Sequence, residues 1–267
     1  MRHVAPARDT IDPRVFDRMP LAAWREYACW LEGDAWPSMD ELNAGLSGEA
    51  NRFVAQTPAL LADGLHYEQR IAKRGEIATR ERNWHDLLNA LVWRRCPTLK
   101  QALNRRQIEE IGRVGAKIRS RAQYALTHFD EGGVIVWLRD PALLALWDAH
   151  DWHGLFWRRR HAWLDGTIRV ELFGHALLEL ALDHDRLLVG KALVFQSPPD
   201  DFFDVGMPCA EAIASGRLLN DPLELRPLPL SGLPGWRADG DDEAFHRSTA
   251  CYQPKRAGRT YPAAWVI

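Results

Sequence analysis

The chain has 267 residues, of which 46 % are hydrophobic and 26 % charged, and its formal net charge is −2. This is the profile of an ordinary globular protein and excludes a disordered chain, a collagen-like repeat and a strongly basic nucleic-acid binder. A chain of this length buries roughly three quarters of its unfolded surface, so its core needs neither metal nor disulfide.

The first residues, MRHVAPARDTIDPR, lack the apolar run of a secretory signal. No stretch approaches the roughly 20 apolar residues of a membrane helix, so no membrane association is expected. Met19 to Leu31 carries Leu21, Trp24, Ala28 and Leu31 at helical spacing. Ser38 and Glu41 have the spacing of a capping box after the Trp36-Pro37 turn. The clearest helix opens at Asn83, with Trp84, Leu87, Leu88 and Leu91 as its apolar stripe, Arg94 and Arg95 at its end and Pro97 as its stop. Thr98 and Gln101 then read as a second capping box, opening a helix at Leu99 that runs, with a break near Gly112 and Gly115, to Phe129.

The second half is mixed. Val134–Leu138 reads as a strand, Pro141–Trp147 as a helix with Pro near its first position, and Thr167–Leu172 as a strand. Gly174–Leu182 reads as a helix and Leu187–Phe195 as a strand. Pro, Gly and Asp accumulate from Ser197, a short helix is expected near Cys209–Ser215, and Leu223–Trp236 reads as Pro-rich coil. The order predicts an α+β fold, a single domain over 1–267 with a helical half to about residue 129 and a mixed half from about 130.

Twelve Trp residues include Trp137, Trp147, Trp152, Trp157 and Trp163 in one stretch, which reads as core packing or as an aromatic platform. Cys29, Cys96, Cys209 and Cys251 contain no CxxC pair, so a zinc ribbon is excluded and reduced thiols in a cytoplasmic protein are expected. Residues 94–121 carry nine Lys/Arg against two Glu, and residues 199–246 ten Asp/Glu against three Arg. These are complementary solvated faces or, for the basic stretch, a surface that meets phosphate.

Three polar constellations interrupt apolar elements. In the first, Arg82, His85, Asp86 and Asn89 fall at i, i+3, i+4 and i+7, one polar stripe on a helix, where a His beside a carboxylate can hold a metal or orient a water. Asp86 is equally explained by capping. In the second, Asp130 and Glu131 lie at a helix C-terminus, where the macrodipole disfavours carboxylates and a cation is wanted. In the third, His175 and Glu179 are i and i+4 on an otherwise apolar helix, with His175 at the N-terminus, where neutral imidazole is favoured. A buried His–Glu hydrogen bond explains the same pair.

These residues also carry a resemblance. The run from Gly75 through Trp84-His85-Asp86 to Trp93 resembles the bacterial domain of unknown function 3025 family. So do Pro97-Thr98-Leu99-Lys100 with Asn104, Ala125-Leu126 with Phe129-Asp130-Glu131-Gly132, and Phe173-Gly174-His175-Ala176-Leu177-Leu178-Glu179. The resemblance covers about residues 60 to 200. It implies a bacterial, cytoplasmic protein and no particular activity. His128 stands where the family pattern has an apolar residue, which argues against a role for it.

Three functional readings follow. The first is a metal-assisted hydrolase: His85, His175 and Glu179 hold one divalent metal ion, Asp86, Asp130 and Glu131 supply the catalytic base, and Asn89, Lys100 and Arg121 hold a small anionic substrate. The second is a non-enzymatic binding or scaffold protein in which the same groups form a buried network. The third, nucleic-acid binding through residues 94–121 and the Lys255–Arg259 tail, ranks last because the whole chain is mildly acidic.

Overall fold

A computed structural model describes residues 4–46, 51–115, 117–196 and 206–266. The start of the Pro- and Asp-containing stretch expected from Ser197 lies outside the described residues. The fold is α+β. Strands β1 (Arg52–Ala55) and β2 (Glu76–Thr79) pair in parallel, and helix α1 (Tyr67–Arg74) lies between them in the chain. Helices α2 (Trp84–Arg95), α3 (Pro97–Val114) and α4 (Arg121–Gly132) follow.

A five-stranded mixed sheet is built around β3 (Gly133–Leu138) and β5 (Val189–Gln196), which run parallel. Strand β4 (Ile168–Leu172) is antiparallel to β3, and β6 (Arg226–Pro229) and β7 (Trp265–Val266) share the far side of β5 at opposite ends. Helix α5 (Pro141–Ala149) links β3 towards β4, α6 (His175–Leu180) follows β4, and α7 (Gly206–Ala214) packs on α3.

Helix α2 starts as its sequence predicts, with the Asn83 side chain accepting from the Asp86 amide at 3.1 Å. The apolar stripe is wider than predicted: Trp84, Leu87, Leu88, Ala90, Leu91, Val92 and Trp93 are all buried. A helix apolar on most of its circumference is a core helix, and each Leu contributes about 1.5–3 kcal/mol by leaving water. Arg94 and Arg95 leave this core by donating to the carbonyls of Leu42, Ala44 and Ala23.

Several expectations are corrected. Thr98 and Gln101 do not open α3. The helix starts at Pro97, whose missing N–H costs nothing there, and its N-cap Cys96 makes no side-chain capping bond. Its end at Gly115 (φ +84°) is followed by an unpredicted capping box, in which Ser120 and Gln123 start α4. The Met19–Leu31 stretch is mostly a 3-10 segment, Leu21–Tyr27, with one α-turn after it. Leu223–Trp236 is not all coil, because Arg226–Pro229 pairs with β5. The short strands β1 and β2 were not predicted.

The Trp-rich stretch is core packing. Trp147 and Trp152 are buried, Trp163 stacks on Phe156, and the indole N–H groups of Trp147, Trp152 and Trp163 donate to the carbonyls of Pro227, Gln253 and Leu155. Much of the basic stretch 94–121 is engaged internally. Arg106 pairs with Glu110, Lys100 with Asp130, and Arg121 reaches across to Asp221 in the acidic segment.

Candidate active site

Two close backbone approaches set the site. Helix α4 passes into β3 without a linker, and a Cβ at Gly133 would stand 2.2 Å from the Phe129 carbonyl oxygen. The turn from β4 into α6 then crosses this junction, with the amides of Phe173 and Gly174 donating to the Gly133 carbonyl at 3.0 and 2.8 Å. A Cβ at Gly174 would lie 2.5 Å from the Gly133 nitrogen, so only Gly allows the approach. Phe129 and Phe173 stack across it, with ring centroids 5.1 Å apart. The result places His175, the first residue of α6, against Asp130 near the end of α4. Helix α6 also packs on α2, which carries His85.

The imidazoles meet directly. Nε2 of His85 lies 3.1 Å from Nε2 of His175, with the rings nearly edge to face. Nδ1 of His85 lies 2.8 Å from Glu179 Oε2. Nδ1 of His175 faces Asp130 Oδ2 at 3.9 Å, beyond hydrogen-bond length, and has no hydrogen-bond partner among the described residues. Asp130 Oδ1 accepts from Lys100 Nζ at 2.6 Å, Lys100 also donates to Asn89 Oδ1 at 2.8 Å, and Asn89 donates to the Tyr67 hydroxyl at 2.9 Å. Lys100 is 3 % exposed, with its ammonium over the Trp93 ring.

Two hydrogen-bonded runs, Glu179–His85–His175 and Asp130–Lys100–Asn89–Tyr67, therefore face each other across the 3.9 Å gap between His175 and Asp130. His85, His175, Asp130, Asn89 and Tyr67 line a cavity of about 310 Å³, together with Glu68 and others. His85, Arg80 and Glu131 also line a larger open cleft that includes Trp36 and Trp84.

The two imidazoles are driven apart in basicity. The hydrogen bond that His85 Nδ1 donates to Glu179 raises the His85 pKa above the usual histidine value against the opposing effect of burial. Burial first, then the positive charges of Lys100 and His85, lower His175 to about 3 despite the carboxylate of Asp130. Neutral imidazole was expected at this helix start, and burial is its main cause. Burial acts to raise Asp130, but Lys100 and the two imidazoles outweigh it and hold the carboxyl below its usual range. Glu68 moves the other way. Burial raises its pKa, although Asn104 donates to Oε2 at 2.6 Å.

Of the residues singled out from sequence, His85, Asn89, Lys100, Asp130, His175 and Glu179 converge. Glu131 lines both the cavity and the cleft and makes no hydrogen bond or ion pair among the described residues. Asp86 lines the cavity but is engaged by Arg80, through the backbone amide at 2.6 Å and the guanidinium at 2.7 and 3.0 Å. The proposed i, i+3, i+4, i+7 stripe fails at its first member, because Arg82 precedes the helix with φ +54°. Arg121 is elsewhere, on the surface in an ion pair with Asp221.

The donor set does not assemble around a divalent ion. Glu179 takes the Nδ1 side of His85 and His175 the Nε2 side, so the three do not face a common point. Lys100 already supplies the positive charge at Asp130. No group of three or more His, Cys, Asp or Glu among the described residues is arranged to hold a metal ion.

Sequence reasoning missed Arg80, Tyr67 and Glu68. An acid in the first turn of a helix, as Glu68 is in α1, reads as a complement to the macrodipole, so nothing marked it.

A family model described as a protein of unknown function (DUF3025) matches residues 51–256. No curated protein and no solved structure matches the chain. No helix among the described residues is long and apolar enough to cross a membrane.

Proposed function

The chain belongs to the DUF3025 family, whose description names no chemistry, and from that premise we propose that it is an acid–base hydrolase acting on a small polar ester or amide. One observation carries the reading: a buried imidazole whose free Nδ1 faces a carboxylate at 3.9 Å is coupled through Nε2 to a second imidazole of opposite pKa shift. Pairs of titratable groups pushed apart in this way mark acid and base roles.

A separation of 3.9 Å suits a group that bridges both partners, here the attacking water. Its proton passes to His175 Nδ1 while the Nε2 proton of His175 moves to His85 Nε2. His175, with its low pKa, does not retain the charge. His85 does, because Glu179 stabilises the imidazolium. Asp130, held ionised by Lys100, orients the water. The relay then runs back: His85 returns its Nε2 proton to His175 Nε2 as His175 gives its Nδ1 proton to the leaving group, which restores both imidazoles. No step passes through a metal. The scattered cysteines, with no CxxC pair among them, support a cytoplasmic location.

A panel of small chromogenic esters and amides tests the reading. His85→Ala and His175→Ala each reduce kcat about 10²–10⁴-fold while the protein stays folded. Activity retained in both variants refutes it. The fully engaged, buried Lys100 favours a second reading, a purely structural network. It predicts instead that both variants lose several kcal/mol of stability and that no panel substrate is turned over.

A further inference from the structure

The charges lining the cavity restrict what enters it. Arg80 and His85, which line it, already have carboxylates, Asp86 and Glu179, and Lys100, outside the lining, has Asp130. The acceptors are in excess. Glu68 uses Oε2 for Asn104, and its Oε1 has no hydrogen-bond partner among the described residues. Glu131 has no partner among them, and Asp130 Oδ2 accepts no hydrogen bond. Asp130 and Glu68 lie deep in the molecule yet keep accessible surface, and both line the cavity.

An independent observation points the same way. His175, with only 5 % of its side chain exposed, lines this cavity and presents Nδ1 to Asp130 without a hydrogen-bond partner among the described residues. An ionised Asp130 only accepts, so the groups beside it in the cavity, the attacking water and the substrate next to it, must bring N–H or O–H donors.

We propose that the cavity recognises a cationic nitrogen of the substrate, an ammonium or guanidinium, seated between Glu68 and Glu131, and not an anionic group. The proposal rests on reading the cavity as the active site and adds the substrate class. Several N–H donors on one positive centre match acceptors that lack donors, and charge-assisted hydrogen bonds are the strong ones. The volume of about 310 Å³ suits a ligand of a few heavy atoms. The cations first expected to hold an anion are spent, Lys100 inside the network and Arg121 at the surface.

The test is binding, not turnover. Butylammonium chloride, butylguanidinium chloride and sodium butyrate are titrated at equal ionic strength into the full-length protein, with melting temperature and histidine ring NMR signals as readouts. Both cations are expected to raise the melting temperature at millimolar concentration and to shift the His175 signals, and butyrate to do neither. Glu68→Gln weakens cation binding about tenfold, the loss of one charge-assisted bond. Equal or stronger response to butyrate, or no response to either cation, overturns the proposal whatever the variant does. Unchanged cation affinity in a folded Glu68→Gln protein also overturns it. Turnover lost in His85→Ala without cation preference removes only this inference, whereas cation preference with full activity in His85→Ala and His175→Ala removes the acid–base reading.

Discussion

Replacing Lys100 by Met keeps the length and most of the packing of the side chain but removes its charge from a site where it is 3 % exposed. Asp130 then loses its 2.6 Å partner and Asn89 its 2.8 Å donor. Breaking a buried pair from one side costs about 3–5 kcal/mol, because the remaining charge stays desolvated. At roughly 2–4 °C per kcal/mol for a protein of this size, the melting temperature falls by about 6–20 °C at pH 7. The deficit depends on pH. In the parent, Asp130 is held below its usual range, so it contributes stability above the unfolded value of about 3.9, lost as pH falls through the folded value. Without Lys100, burial pushes the carboxyl upwards instead, and protonation relieves the stranded charge. Urea unfolding at pH 7 and at pH 4.5 measures this: the parent–variant gap narrows at the lower pH, and adding Asp130→Asn to Lys100→Met restores much of the loss at pH 7. An equal gap at both pH values, or no gap, would show that Asp130 and Lys100 are not the buried pair described.

Two further outcomes are expected. His85 titrates above the ordinary histidine range in NMR and His175 stays neutral down to about pH 3, while Glu179→Gln brings the His85 midpoint down. By linkage, the His85 contribution is full below about pH 6.5 and fades as pH rises through its raised value, whereas His175 costs stability as pH drops from about 6.5 towards 3, seen in unfolding curves across that range. Gly174→Ala forces a Cβ to within 2.6 Å of backbone atoms at Glu131, Gly132 and Gly133, which cannot swing aside. It costs about 1–3 kcal/mol in chemical denaturation and shifts the His175 ring signals, and a variant as stable as the parent with unchanged signals contradicts the close approach.

The sequence by itself determined the elements with strong local signals. Asn83 with its amide partner at Asp86, the Pro97 stop, the apolar run of β3 and the Gly-His start of α6 all act within one or two turns of chain, and each is found where local chemistry puts it. It also marked six of the residues that later meet, since polar side chains on otherwise apolar helices must find partners inside. What they meet was decided by tertiary structure. Asp86 goes to Arg80 and not to the cavity chemistry, Glu179 takes one ring nitrogen of His85 while His175 takes the other, and Arg121 reaches Asp221, a hundred residues away. Spacing along a helix fixes which face a side chain leaves from, but the partner comes from whichever distant element packs there. Burial, which sets the opposite pKa shifts of the two imidazoles, exists only once those elements have closed over them.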